Sequence, residues 1–192
     1  MLTTLALTVQ LATALVLGSA VFAKLRDLQR FRAVLRDYAV LPSSWTPAAA
    51  ILLLGIELVV AGGLFVPHSR PVAALLGAAL LALFGSVIAF TVGRGRAVAD
   101  CGCTWSSGST GALAAWMAVR NFVHGALLAA SASVPARSLS AADVLTACAA
   151  AATLTLLYHA MPGLLLRQSS RSRPSIAEKA GLGVDRSTSW VA

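Results

Sequence analysis

The sequence predicts an all-α bundle of membrane-spanning helices, and three observations predict it. The chain of 192 residues is 58% hydrophobic and only 11% charged, against roughly 25% charged residues in an ordinary soluble domain. Its apolar residues fall in runs near the length of about 20 residues that a helix needs to cross a bilayer. Its basic residues gather in the short segments between those runs, where they meet anionic headgroups and orient the helices. The net charge of +8 therefore speaks for a membrane surface and against nucleic acid. A chain of this length makes a single bundle.

The first run, Leu2 to Ala23, contains no charged residue and ends at Lys24. Val21 and Ala23 imitate a signal-peptide cleavage site, but no positive residue precedes the run and a second apolar segment follows closely. An uncleaved first helix is expected. Residues 24–38, KLRDLQRFRAVLRDY, place Leu25, Leu28, Phe31, Leu35 and Tyr38 at helical spacing, with Arg26, Arg30, Arg32 and Arg36 on other faces. That pattern predicts an interfacial amphipathic helix whose apolar stripe dips into the headgroup boundary or caps the bundle. LPSSWTP then breaks it, since Pro42 and Pro47 bias the residues before them away from helix and Trp45 suits the interface.

Three further spans are expected at 48–66, 71–92 and 112–134, and a fifth at 142–166. The connection PHSRP is very short, so the second and third spans must be antiparallel neighbours. Tyr158, His159, Pro162 and Gly163 crowd the end of the fifth span, where Pro162 is expected to kink the helix or end it early. The chain thus divides into a four-helix membrane domain at 1–134, a fifth transmembrane helix at 135–166 and a basic, disordered tail at 167–192. With five spans, twelve lysines and arginines share one face, against Arg70 and Arg137 on the other. The positive-inside rule puts the crowded face, which includes the loop bearing Cys101 and Cys103, in the cytoplasm.

That loop reads ADCGCTW at residues 99–105. Two thiols at this spacing can close a small strained disulfide ring, with Gly102 supplying backbone freedom, and strain makes a disulfide easier to reduce. Arg94, Arg96 and the start of the next helix favour thiolate, which is the attacking species; Asp100 opposes them. Loop residues without a role and soft-metal ligands are the competing readings, and a closed zinc site would need ligands that this face does not obviously supply. Thiol-disulfide redox fits best. Cys148, in TACAAAAT, reads as a small packing residue.

Glu57 and Arg120 fall inside spans, where an ionisable group without a partner costs at least about 2.5 kcal/mol. Both helices start from the same face and put these residues roughly 13 and 12 Å deep at 1.5 Å per residue. Equal depth predicts an ion pair between them. Asn121 and His124 continue a polar stripe on the helix of Arg120. Such a cluster fixes helix register, or serves a ligand pocket or a proton relay.

AKLRD after the first span, YAVLP, Glu57 followed by GG, RGRAVADCGC and VRN, taken in that order, resemble the methylamine utilisation protein MauE family, related to the DoxX-like membrane proteins. The resemblance covers residues 8–132. It implies a small helical membrane bundle in the cell membrane, concerned with maturation of methylamine dehydrogenase, whose small subunit carries many disulfides and works outside the cytoplasm. It further implies disulfide formation or transfer beside a thioredoxin-like partner and an exported client. Carried over by position, it points to Lys24, Glu57, Arg94, Arg96, Cys101, Cys103, Arg120 and Asn121, with Lys24, Arg94 and Arg96 as interfacial, supporting residues. Thr104 and Trp105 stand where relatives continue with Phe-Gly. An exported client requires the cysteines on the outer face, against the count of charges. Electrons leaving them require an acceptor, and a quinone near Glu57, Arg120 and His124 is the candidate. The rival readings are a small-molecule binding or transport protein built on a Glu57–Arg120 pair, and a non-catalytic assembly factor.

Overall fold

The computed structural model describes residues 1–38, 42–95, 111–135 and 139–171, with backbone alone for 111–113 and 162–171. Among these residues there is no strand. The helices are α1 (Leu2–Arg26), α2 (Leu28–Asp37), α3 (Thr46–Phe65), α4 (Arg70–Gly93), α5 (Gly111–Ala132) and α6 (Ala141–Arg171), with a 3-10 turn at Ser43–Trp45 leading into α3. The regions of α1, α3, α4 and α6 are long and apolar enough to cross a membrane. α5 has comparable length, but Arg120, Asn121 and His124 interrupt its apolar run. It packs closely against α4, so the chain returns through the same slab and the protein is a multi-pass membrane bundle.

α1 is the hub, contacting α3, α5 and α6 and, more lightly, α2 and α4. Its Ala14 and Leu17 join Val60, Ala61 and Leu64 of α3, Leu80 and Leu81 of α4 and Leu128 of α5 in the main core. The short connection behaves as its length requires, and α3 and α4 pack as antiparallel neighbours. Ser69 Oγ donates to Gly63 O at 2.8 Å, while Arg70 Nε donates to Leu64 O at 3.1 Å, satisfying carbonyls at the end of α3.

α4 and α5 approach through small residues. A Cβ placed on Gly125 would lie 3.2 Å from Ala78 O, and one on Gly85 would lie 3.2 Å from Ala118 O. Backbone cannot retreat as a side-chain tip can, so these positions set the helix separation. Gly125→Leu is expected to cost about 1–3 kcal/mol through overpacking. Gly18→Ala, with nothing within 4 Å of its added Cβ, is the control that should leave thermal unfolding in detergent unchanged.

The amphipathic helix forms but starts later than its pattern predicts. Asp27 leaves helical geometry with φ −142° and its side chain accepts from Arg30 N at 2.9 Å, ending α1 and capping α2. Phe31 of α2 packs with Val21, Ala50 and Leu54, and Leu28 and Leu35 pack against the same cluster. The predicted stripe therefore faces the bundle at Leu28, Phe31 and Leu35, whereas Leu25 falls in α1 and is exposed.

α6 also differs from expectation. Its backbone continues through Pro162 to Arg171, past the predicted end at 166. It begins with a capping box in which Asp143 N donates to Ser140 Oγ at 3.2 Å and Ser140 N donates to Asp143 Oδ2 at 3.1 Å. Cys148 is exposed on this helix and does not pack into the core. Residues 172–192 of the predicted tail lie outside the described residues.

Candidate functional site

Glu57 does not pair with Arg120. Its Oε1 accepts from Lys24 Nζ in a salt bridge between α1 and α3, with both side chains almost wholly buried. Equal depth leaves open which helices are adjacent: α3 packs beside α1 and α4, so Glu57 meets the neighbour that carries Lys24. The ammonium lies in the last turn of α1, where the helix dipole favours a cation. Its Nζ sits 5.0 Å from the Phe31 ring centroid and 5.3 Å from that of Phe84, enclosed by aromatic faces from α2 and α4. Glu57 Oε2 is buried with no hydrogen-bond partner among the described residues. Lys24, expected at the interface, is a core residue at 3% exposure.

Arg120, Asn121 and His124 form a second cluster where α1, α5 and α6 meet. The Arg120 guanidinium stacks 3.7 Å over the Tyr158 ring, and its Nη1 donates to Tyr158 O at 3.3 Å. Tyr158 Oη donates to Asn121 Oδ1 at 3.4 Å. His124 Nε2 lies 2.7 Å from Thr13 Oγ1, and His159 Nε2 lies 3.0 Å from Ser19 Oγ, two contacts that bind α5 and α6 to α1. Arg120 Nε and Nη2 are buried without hydrogen-bond partners among the described residues. Thr13, Ser19, Tyr158 and His159 are the members that sequence reasoning did not assign. The signal for two of them was present, since Tyr158 and His159 interrupt an otherwise apolar run and needed partners.

This cluster backs a cleft of about 340 Å³ between α5 and α6. Val9, Ala12 and Val16 of α1 form its floor, Trp116 and Leu127 lie on the α5 wall, and Leu157 and Met161 on the α6 wall. Arg120, His124 and Tyr158 are among the lining residues, but the surface they and their neighbours present is almost wholly apolar, which gives the cleft the character of a slot for a lipid-soluble molecule.

Arg94 closes α4, stacking 4.0 Å over Phe90. The chain leaves this helix at Gly95, φ 69°, on the side of the bundle where α2 joins α1 to α3. Arg96, Cys101 and Cys103 lie outside the described residues.

The family profile described as "Methylamine utilisation protein MauE" matches residues 2–136. The chain belongs to the MauE family. It is 37% identical over 159 residues to the methylamine utilization protein MauE of Methylophilus methylotrophus, covering 82% of this chain and 84% of that protein. It is 35% identical over 162 residues to the protein of the same name from Paracoccus denitrificans, covering 82% and 87%. With the Paracoccus versutus MauE the identity is 40% over 143 residues, covering 73% and 76%. Overlaps of 159 and 162 residues are too long to fit within residues 2–136, so the likeness to these MauE proteins continues into α6. No solved structure matches the chain.

Proposed function

We propose that this MauE protein supports thiol-disulfide chemistry in methylamine utilisation, forming or transferring disulfides while an exported partner such as methylamine dehydrogenase matures in the cell membrane's outer space. The observation that carries this reading is Cys101-Gly102-Cys103 within the matched residues 2–136, between two helices of a membrane bundle. In the oxidised state a client thiolate attacks one sulfur of the Cys101–Cys103 disulfide, the other sulfur leaves as thiolate, and a second client thiol resolves the mixed disulfide. The client loses two electrons and two protons, and the loop pair becomes a dithiol. A thioredoxin-like protein serves as relay or immediate client.

Regenerating the disulfide requires a two-electron, two-proton acceptor, and a membrane quinone is the class that suits the α5–α6 cleft. The apolar walls suit its hydrocarbon chain. Arg120, His124 and Tyr158 are among the residues lining the cleft, with their polar atoms turned to one another and to α1.

The role requires the loop on the outer face, whereas basic residues crowd that same face. Burial of Lys24 against Glu57 removes one of those charges from the count but leaves the imbalance. Thiol labelling decides. In a Cys148→Ser background, a membrane-impermeant maleimide applied to intact cells should leave Cys101 and Cys103 unlabelled until an impermeant reductant is added, and then label both. Labelling without reduction, or only after lysis, would overturn the proposal.

A further inference from the structure

Away from both intramembrane clusters, a cavity of about 320 Å³ lies between α2 and the start of α3, lined by Gln29, Arg32, Arg36, Ser43, Thr46 and Pro47. Helical periodicity puts Gln29, Arg32 and Arg36 on one face of α2, opposite the stripe that packs on the bundle through Phe31 and Val34. Two arginines therefore face a pair of hydroxyls.

Two of these groups are orphans. Thr46 is buried at 2% exposure, and its Oγ1 has no hydrogen-bond partner among the described residues. Arg32 Nε is buried and has none either. The cost of leaving a buried polar group unsatisfied is about 1–3 kcal/mol, more when it is charged. Both line the same cavity, so one acceptor-rich ligand would satisfy them together. The N-terminal end of the 20-residue α3 opens here, and its N-cap residue, Trp45, gives no side-chain cap; that end of a helix favours an anion. No acidic side chain is among the lining residues.

We infer that this cavity binds a phosphate group, carried by a lipid headgroup or supplied as a free anion. A phosphate has oxygens enough for both arginines, the Thr46 hydroxyl and the helix end at once, and Arg presents paired donors to such a group. The place in the fold suits a headgroup: the cavity lies where α3 enters the membrane, beside Trp45 at 67% exposure, a residue type that settles at headgroup level. A phosphate held there would clasp α2 to the start of α3.

The test uses the purified full chain in detergent and native mass spectrometry after incubation with dioleoyl-phosphatidylglycerol or with dioleoylglycerol, which lacks the phosphate. The wild type should retain one phosphatidylglycerol and no dioleoylglycerol. Arg32→Gln/Arg36→Gln should cut retention by about tenfold or more, and the near-isosteric Thr46→Val by several-fold. Arg26→Gln/Arg30→Gln removes equal charge from the same segment without touching the cavity and should retain the lipid as the wild type does. Displacement of bound lipid by excess inorganic phosphate assigns the site to the free anion; resistance to it assigns the site to the lipid. Equal loss in the two arginine pairs, equal retention of dioleoylglycerol, or full retention in Thr46→Val would overturn the inference.

Discussion

Lys24→Met is expected to destabilise the bundle by about 3–5 kcal/mol, because it strands the Glu57 carboxylate in a fully buried site without its counter-charge. Glu57 is 0% exposed and one of its oxygens already lacks a hydrogen-bond partner among the described residues, so the salt bridge is its main compensation. Glu57→Gln alone should do less harm, since Lys24 keeps the Phe31 and Phe84 rings around it and an amide oxygen can still accept its hydrogen bond. The informative variant is Lys24→Met/Glu57→Gln, which leaves no buried charge and should recover most of the loss. Thermal unfolding of the four proteins in detergent gives the coupling directly. If the double variant is as unstable as Lys24→Met, the salt bridge is not what holds α1 against α3. If it is stable but fails to support disulfide formation in a client, the pair has a chemical role in addition to its structural one.

The same pair marks where sequence reasoning stops. The spans were legible because an apolar run near 20 residues has few other uses, and the PHSRP connection fixed α3 and α4 as neighbours because so short a link leaves no alternative. α2 was legible in its stripe of Leu28, Phe31 and Leu35, though its start was not: Asp27 sits inside a continuous helical pattern and ends α1 through a side-chain cap. Glu57 and Arg120 were identified as residues needing partners, yet depth along a helix carries no information about azimuth. Lys24 stands at the edge of an apolar run and reads as a flanking charge. Burial became visible only with α2 folded back so that Phe31 lies against the ammonium. Tyr158 and His159 suggested a failing fifth span, whereas in three dimensions they are what Arg120 and Ser19 hold. A polar residue in a span signals a partner, and only packing names it.

Removing both loop sulfurs should abolish client oxidation while leaving the bundle intact. Cys101 and Cys103 lie outside the described residues; the expected result is that Cys101→Ser/Cys103→Ser unfolds like the wild type and differs in chemistry alone. In cells dependent on this protein, the oxidised fraction of the client, for instance the small subunit of methylamine dehydrogenase, should fall to the level seen when the protein is absent. The single variants separate the two sulfurs. A lone cysteine cannot form the ring and cannot accept two electrons by exchange, so both singles should be inactive. The sulfur that normally receives the client should still be captured in an intermolecular disulfide through exchange with oxidised client or relay, visible as a reductant-sensitive adduct. Its partner should give none. This asymmetry is the signature of attack and resolution at distinct atoms. Soft-metal binding by two thiolates predicts symmetrical loss and no adduct from either variant, and an assembly factor predicts full client oxidation without any sulfur in the loop.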